Sequence, residues 1–397
     1  MSNWHPEAGT AAVRTGIDTD LHHGAVVPPI HLSSTYRFVG FGEKGKYDYS
    51  RSGNPTRDHL AEALTTLEHG AGAVITASGM AAITTVLQRV PAGGRIVATQ
   101  DCYGGTWRLF DVWARAGRCR IDLVDLTDRE QWKKAFAEPL DMLWLETPSN
   151  PLLRISDIEA LTKLGHQHGA EVVVDNTFLS PLGQQPLRFG ADIVVHSTTK
   201  YINGHSDVVG GAVIAREADV AESLAWWANC LGVTGSPFDS WLTLRGLRTL
   251  GARLRVHEEN ARRLVDVLYC HPVVTKVNYP GLTDHPGHVL ARRQQSGFGA
   301  MLSFELKGGE AAVRAFLKGL QYMTLAESLG GVESLVAHPA TMTHAAMSAE
   351  ARETAGIGDG LLRLSVGIED VADLKRDLEA ALDRAAASVI DQRRVAV

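Results

Sequence analysis

The run Ser197-Thr198-Thr199-Lys200 sets one amine behind three hydroxyls, directly after the apolar run Ile193–Val195. Asp175 ends another apolar run, Val172–Val174, and a third, Ala73–Thr76, leads into Ser78-Gly79-Met80. A fourth, Ile96–Ala98, leads into Asp101-Cys102-Tyr103-Gly104-Gly105. An amine can condense with an aldehyde, and a carboxylate can pair with a ring nitrogen. Hydroxyls and the amides of a helix N-terminus can cradle a phosphate, and an aromatic ring can stack on another. Together these are what a protein supplies to pyridoxal phosphate. On this reading Lys200 forms the Schiff base, and Asp175 keeps the pyridine nitrogen protonated so that the ring acts as an electron sink. Ser197, Thr199 and the amides of Gly79 and Met80 take the phosphate, and Tyr103 stacks on the ring. Each residue alone is weak, because strands often end in Asp and a lone Lys is usually solvated. The joint order carries the reading.

Rival chemistries lack their parts. Ser197 to Lys200 also fits SxxK, but the SDN and KTG partners of that pattern are absent. There is no GxxxxGK[ST], GxSxG or HExxH. His196 and His205 flank the lysine without a third ligand at metal spacing, so no metal site is expected. His338 and His344 are read as structural for the same reason.

Positioning these groups requires strands that end where they stand. Ala73–Thr76, Ile96–Ala98, Ile121–Val124, Met142–Leu145, Val172–Val174 and Ile193–Val195 are apolar without alternation, and helix-like stretches such as Thr106–Ala116 and Asp157–His168 separate them. That pattern predicts an α/β domain with a mainly parallel sheet covered on both faces. Ligands of such sheets bind at the carboxyl ends of the strands, and several runs here are followed by polar residues: Ser78, Glu146, Asp175 and Ser197. Leu60, Leu64 and Leu67 predict a helix from Arg57 that Gly70 ends. A helical stretch runs from Ser236 to about Tyr269, interrupted at Gly246 and Gly251. Strands over Ala300–Leu306 and Leu361–Val366 and helices over Ala311–Leu320 and Asp373–Ala387 predict a smaller C-terminal α+β domain. The expected division is an N-terminal arm over 1–56, a cofactor domain over 57–255 and a C-terminal domain over 256–397.

The chain has 397 residues, too many for one core, so two or more domains are expected. A net charge of -6 gives no footprint for nucleic acid or an anionic membrane. The 45% hydrophobic and 21% charged fractions are those of an ordinary soluble globular protein. Cys102, Cys119, Cys230 and Cys270 form no CxxC pair and read as reduced thiols of a cytoplasmic protein. Met1–Asp20 has no apolar core of a signal peptide, and no stretch approaches the roughly 18 apolar residues that span a bilayer.

The segment from His196 to His205 resembles the cofactor-lysine signature of the Cys/Met-metabolism pyridoxal-phosphate enzymes. Further matches are Tyr49-Ser50-Arg51 with Asn54-Pro55-Thr56, Tyr103-Gly104-Gly105-Thr106, Glu146-Thr147-Pro148-Ser149-Asn150-Pro151, Val174-Asp175-Asn176-Thr177 and Ala326-Glu327-Ser328-Leu329-Gly330-Gly331. The resemblance runs almost end to end. Val27–Tyr36, Ala225–Asn229, Arg245–Leu250 and Gly297–Phe304 are similar to members that perform γ-replacement.

The resemblance implies the aspartate-aminotransferase-like architecture, fold type I. It also implies roles that spacing does not reach. Lys200 would shuttle protons between Cα, C4′ and Cβ, and Tyr103 would exchange a proton with the incoming amine. Tyr49 and Arg51 would reach the phosphate of a neighbouring subunit in a homotetramer of site-sharing dimers. Asn150 would lie near the ring hydroxyl and the substrate carboxylate, Ser328 would position Lys200, and Arg363 would bind the α-carboxylate as a fork. Glu327 would hold the amino group of the second amino acid, and Arg108 a distal carboxylate. The implied activity is replacement of the acyl group of a homoserine ester, succinyl first, by the sulfur of cysteine. Elimination from cystathionine is the alternative reaction, and a cofactor-binding protein without turnover is the alternative class. Ser52 stands where close relatives often carry a second Arg, which leaves succinyl against acetyl open.

Overall fold

A computed structural model describes residues 7–395. The first six residues lie outside it, so part of the 1–56 arm and of the segment read as carrying no signal peptide is not described. In chain order the elements are α1 (Ala8–Arg14), α2 (Pro55–Glu68), β1 (Gly72–Thr76), α3 (Gly79–Leu87), β2 (Gly94–Thr99), α4 (Gly104–Arg115), β3 (Cys119–Val124), α5 (Arg129–Ala135) and β4 (Met142–Glu146). There follow α6 (Ile158–Gln167), β5 (Glu171–Asp175), α7 (Ser180–Gly183), β6 (Ile193–His196), β7 (Gly211–Ala215), α8 (Ala218–Leu231), α9 (Pro237–Leu247), α10 (Leu250–Cys270) and β8 (Val274–Asn278). The last are α11 (His288–Gln294), β9 (Met301–Leu306), α12 (Gly309–Leu317), β10 (Thr324–Leu325), β11 (Leu335–Ala337), α13 (Ala349–Ala355), β12 (Leu361–Ser365) and α14 (Val371–Val395). The chain divides into two compact units. The first holds the residues up to Arg95, Pro139–Trp144 and Ile158–Gly251, and the second holds Ile96–Glu138, Leu145–Asp157 and the residues from Ala252 on.

In the first unit the strands follow the order β1-β7-β6-β5-β4. β5 and β6 run parallel, with Asp175 opposite Val195. β7 is antiparallel to both β6 and β1, so β1, β6 and β5 all point one way and end at one edge. β6 and β7 are buried along their whole length, which explains their lack of polar alternation. β7 is an element the apolar runs did not announce. Antiparallel neighbours need no crossover helix, so the β6–β7 link is free to be the loop that carries Lys200.

α2 begins at Asn54-Pro55, earlier than the leucine spacing predicts. Asn54 accepts the amides of Thr56 and Arg57 at 2.9 and 3.3 Å, and Pro55 fills a position that needs no amide donor. The helix stops at His69, which is left-handed at φ 60, rather than at Gly70. Gly70 is required for another reason: a Cβ there would stand 2.5 Å from Ile214 Cγ2.

The second unit contains the five-stranded sheet β10-β11-β12-β9-β8. β8, β9, β12 and β11 are successively antiparallel, and β10 pairs parallel with β11. With α10, α12 and α14 this is the expected α+β arrangement. Among the described residues no helix is long and apolar enough to cross a membrane.

Candidate active site

At the common strand edge of the first unit, Asp175 ends β5 and Ser197 follows β6. Thr177 ties the two together. Its amide donates to Asp175 Oδ1 at 3.0 Å, and its hydroxyl accepts the Ser197 amide at 2.9 Å. Asp175 is buried. That burial pushes its carboxyl up, while the hydrogen bonds of Thr177 and the charge of His196 pull it down. A cationic ring N–H is the partner that restores the ionised form of such an acid.

α3 opens at the same edge. Ser78 caps it by accepting the Ala81 amide at 3.0 Å, which leaves the amides of Gly79 and Met80 at the helix N-terminus. A Cβ on Gly79 would stand 2.8 Å from Ser197 Cβ and 3.0 Å from its Oγ. The hydroxyl and the helix terminus therefore share one corner, cleared by the missing side chain, and that corner suits a phosphate. Thr199 lies two residues further along the same loop. Its hydroxyl donates to the Gly210 carbonyl at 3.1 Å and accepts the Gly210 amide at 3.0 Å, which shapes the loop. Lys200 sits half-buried in the turn after β6. Its amide donates to Ser197 O at 3.2 Å, and its carbonyl accepts Gly204 N at 2.8 Å. An acid for a ring nitrogen, an anion corner and an amine on one strand edge fit pyridoxal phosphate.

The second unit gathers another group. Tyr103 stands at the start of α4, and its amide donates to Glu146 Oε2 at 2.8 Å. The Asn150 amide donates to Oε1 of the same buried carboxylate at 3.1 Å. Glu146 thus sets the backbone of both. Gly104 has no alternative, since a Cβ there would overlap the Thr343 carbonyl oxygen. Arg363, buried in β12, donates from Nη1 to Asn150 Oδ1 at 2.9 Å and from Nη2 to Ser328 O at 2.8 Å. Ser328 holds a left-handed φ of 104°. Burial pushes the Tyr103 phenol up. The charges of Glu327 and Glu146 act in the same direction, and those of Arg108 and Arg363 oppose it.

Glu146 and His344 belong to this group without having been assigned to it from the sequence. Glu146 had a signal, as a polar strand end. His344 had none. It is fully buried, and burial and the charge of Arg363 hold it down at about 4. The neutral ring donates from Nε2 to Asn150 O at 2.9 Å and accepts the Thr343 hydroxyl at Nδ1, 2.8 Å away.

Tyr49 and Arg51 stand elsewhere in the first unit, facing α8. Arg51 Nη1 donates to Asn229 O and Oδ1 at 2.9 and 2.8 Å, and its guanidinium lies 5.7 Å over the Tyr49 ring. Ser52 bonds Asp48 Oδ1 at 2.7 Å.

The family model of the Cys/Met metabolism PLP-dependent enzymes matches residues 9–383. A cystathionine gamma-synthase of Escherichia coli (strain K12) is 56% identical, over 93% of this chain and 96% of its own. A cystathionine beta-lyase of Lactococcus lactis subsp. cremoris is 47% identical, over 94% of this chain and 98% of its own. The crystal structure of a cystathionine gamma synthase from Xanthomonas oryzae pv. oryzae, in complex with aminoacrylate and cysteine, is similar with a TM-score of 0.96 at 62% identity, covering 97% of this chain and 100% of that one.

Proposed function

This chain belongs to the Cys/Met-metabolism enzymes and has pyridoxal phosphate as its cofactor, and from that premise we propose that it is a γ-replacing synthase. Cysteine sulfur would displace the acyl group of O-succinyl-homoserine at Cγ, giving cystathionine and succinate in the biosynthesis of methionine. The observation that carries this reading is the 56% identity to a cystathionine gamma-synthase over 93% of the chain. Arg108 and Arg363 would take the two carboxylates of the substrate pair and Glu327 the second amino group, an arrangement that would serve a synthase and a γ-lyase alike. The greater identity to the two synthases than to the β-lyase supports the same choice.

When bound, pyridoxal phosphate supplies an electron sink that stabilises negative charge at the substrate's α- and β-carbons. Lys200 would hold the cofactor's aldehyde, and its Nζ would then carry the protons of Cα and Cβ. Asp175 would hold the ring-nitrogen proton, and Gly79, Met80, Ser197 and Thr199 the phosphate. Thr199 would keep the loop of Lys200 in shape through Gly210. Arg363, fixed by Asn150 and Ser328, would orient the α-carboxylate. Tyr103 would enter as a neutral phenol, given the direction of its shift. Water must be kept from Cγ, where it would compete with the thiol. Tyr49 and Arg51 would serve a neighbouring subunit of a cytoplasmic homotetramer, with 1–56 as the arm, 57–255 as the cofactor domain and 256–397 as the C-terminal domain.

The test gives the protein O-succinyl-homoserine with and without cysteine, and cystathionine alone in a separate tube. Cysteine-dependent cystathionine formation with little cleavage of cystathionine is expected. Rapid cleavage with a sluggish ester reaction would make the chain a γ-lyase.

A further inference from the structure

Between β11 and α13 the chain makes a 3-10 turn over Pro339–Thr341 and then brings His344 into the interior of the second unit. The segment is pinned along its length. His338 Nε2 donates to Asp359 O, just ahead of β12, at 3.1 Å, and its Nδ1 lies 2.9 Å from the Thr341 hydroxyl. The His344 amide donates to Pro339 O at 2.9 Å. The Thr343 carbonyl packs against Gly104, where a Cβ would stand 2.1 Å from its oxygen. The backbone that carries the His344 ring is therefore fixed.

His344 Nε2 lies 2.9 Å from Asn150 O. A carbonyl can only accept, so Nε2 carries the ring proton, and Nδ1 is left to accept the Thr343 hydroxyl. Asn150 is thereby gripped on both sides of its backbone, since its amide donates to Glu146 Oε1 at 3.1 Å. Its side-chain Oδ1 takes Arg363 Nη1 at 2.9 Å, while Arg363 Nη2 is spent on Ser328 O at 2.8 Å. Every link from His344 to the guanidinium is a hydrogen bond of ordinary length. Filling the space would need no donor here. An apolar ring of similar size would pack, but would leave the buried Asn150 carbonyl without its partner.

We propose that His344 is a positioning residue for the substrate's α-carboxylate: by holding the Asn150 carbonyl it keeps Asn150 Oδ1 on Arg363 and so fixes the plane of the guanidinium. This rests on the reading of Arg363 as the group that takes that carboxylate.

The experiment titrates the holoprotein with L-2-aminobutanoate and, separately, with propylamine, and reads the change in cofactor absorbance. The two amines differ only by the carboxylate, and the first has no γ-leaving group, so no replacement follows. The proteins are the wild type, His344→Phe, which keeps a ring and loses the donor, His344→Gln, which keeps a donor and loses the ring, and Arg363→Lys. His344→Phe should bind L-2-aminobutanoate about ten-fold more weakly, the order of one hydrogen bond, and propylamine as the wild type does. His344→Gln should recover most of the loss. If Arg363→Lys leaves the binding of L-2-aminobutanoate unchanged, the reading of Arg363 itself fails. If Arg363→Lys weakens it while His344→Phe matches the wild type with both ligands, only the present inference fails. Equal weakening of both ligands by His344→Phe, or no recovery in His344→Gln, would make His344 a packing residue and overturns the inference as well. The wild type decides even where a variant does not fold: its ¹⁵N-histidine spectrum must show His344 protonated at Nε2, and a ring protonated at Nδ1 alone removes the bond to Asn150 and the inference with it.

Discussion

Arg363, proposed to take the α-carboxylate, is held in place by its neighbours. Its guanidinium is buried in β12, with Nη1 on Asn150 and Nη2 on Ser328. Asn150 is held in turn by Glu146 at its amide and by His344 at its carbonyl. Arg363→Lys keeps the charge and loses the planar fork. It should lower kcat/KM about 10- to 100-fold, the equivalent of ~1.5–3 kcal/mol for a charged hydrogen bond. The cofactor absorbance should stay unchanged, so steady-state kinetics and a spectrum of the same sample check both halves of the prediction.

Among the elements, α3 meets the end of β6 closely at the anion corner. Gly79→Ala would push a methyl against Ser197, and the corner must open to receive it. Cofactor binding should weaken at least ten-fold, the order of 1.4 kcal/mol, as titration of the apoprotein would read. Asn54 is a second junction. Besides capping α2, its Nδ2 donates to His31 O, Tyr36 Oη and Ser50 Oγ at 2.9, 3.0 and 3.1 Å, tying the arm to the helix. Asn54→Ala should cost more than the usual ~1 kcal/mol of a lost cap and lower the melting temperature by several degrees.

For the whole molecule, acid sensitivity follows from histidines buried as neutral rings. Burial is the first cause holding His257 and His344 at about 4, and neither is exposed. The unfolded chain takes up a proton on each near its ordinary value of about 6.5, and the folded chain does so only near 4. Stability is therefore complete above 6.5, falls as the pH drops through the window between the two, and loses no more below it. Each ring should account for about 3 kcal/mol of that loss. Urea midpoints measured from pH 7 to pH 4 check this, and His257→Gln should flatten the slope. The arm leaves Leu32, Val39 and Phe41 exposed, at 70%, 78% and 107%. A partner surface over them would accord with shared sites. Mixing Arg51→Ala with Lys200→Ala protein should then partly restore activity, and no restoration would count against sharing.

Residue order alone determined which strands end in reactive groups, because a buried strand reads as an apolar run and the first polar residue after it marks the edge. Asp175 and Ser197 were legible that way, whereas Lys200 and the family were read from motifs such as His196–His205. Partners of buried polar groups were not. Glu68 reaches His196 across 128 residues, and His344 reaches Asn150 across 194. Periodicity reports which face of an element is covered, but which distant element covers it is settled only by packing. The same holds for β7, whose antiparallel pairing with β6 and β1 came from the sheet, and for Thr199, whose hydroxyl the Gly210 backbone claims. A short apolar run has no direction of its own, and a hydroxyl bonds to whatever the fold brings within reach.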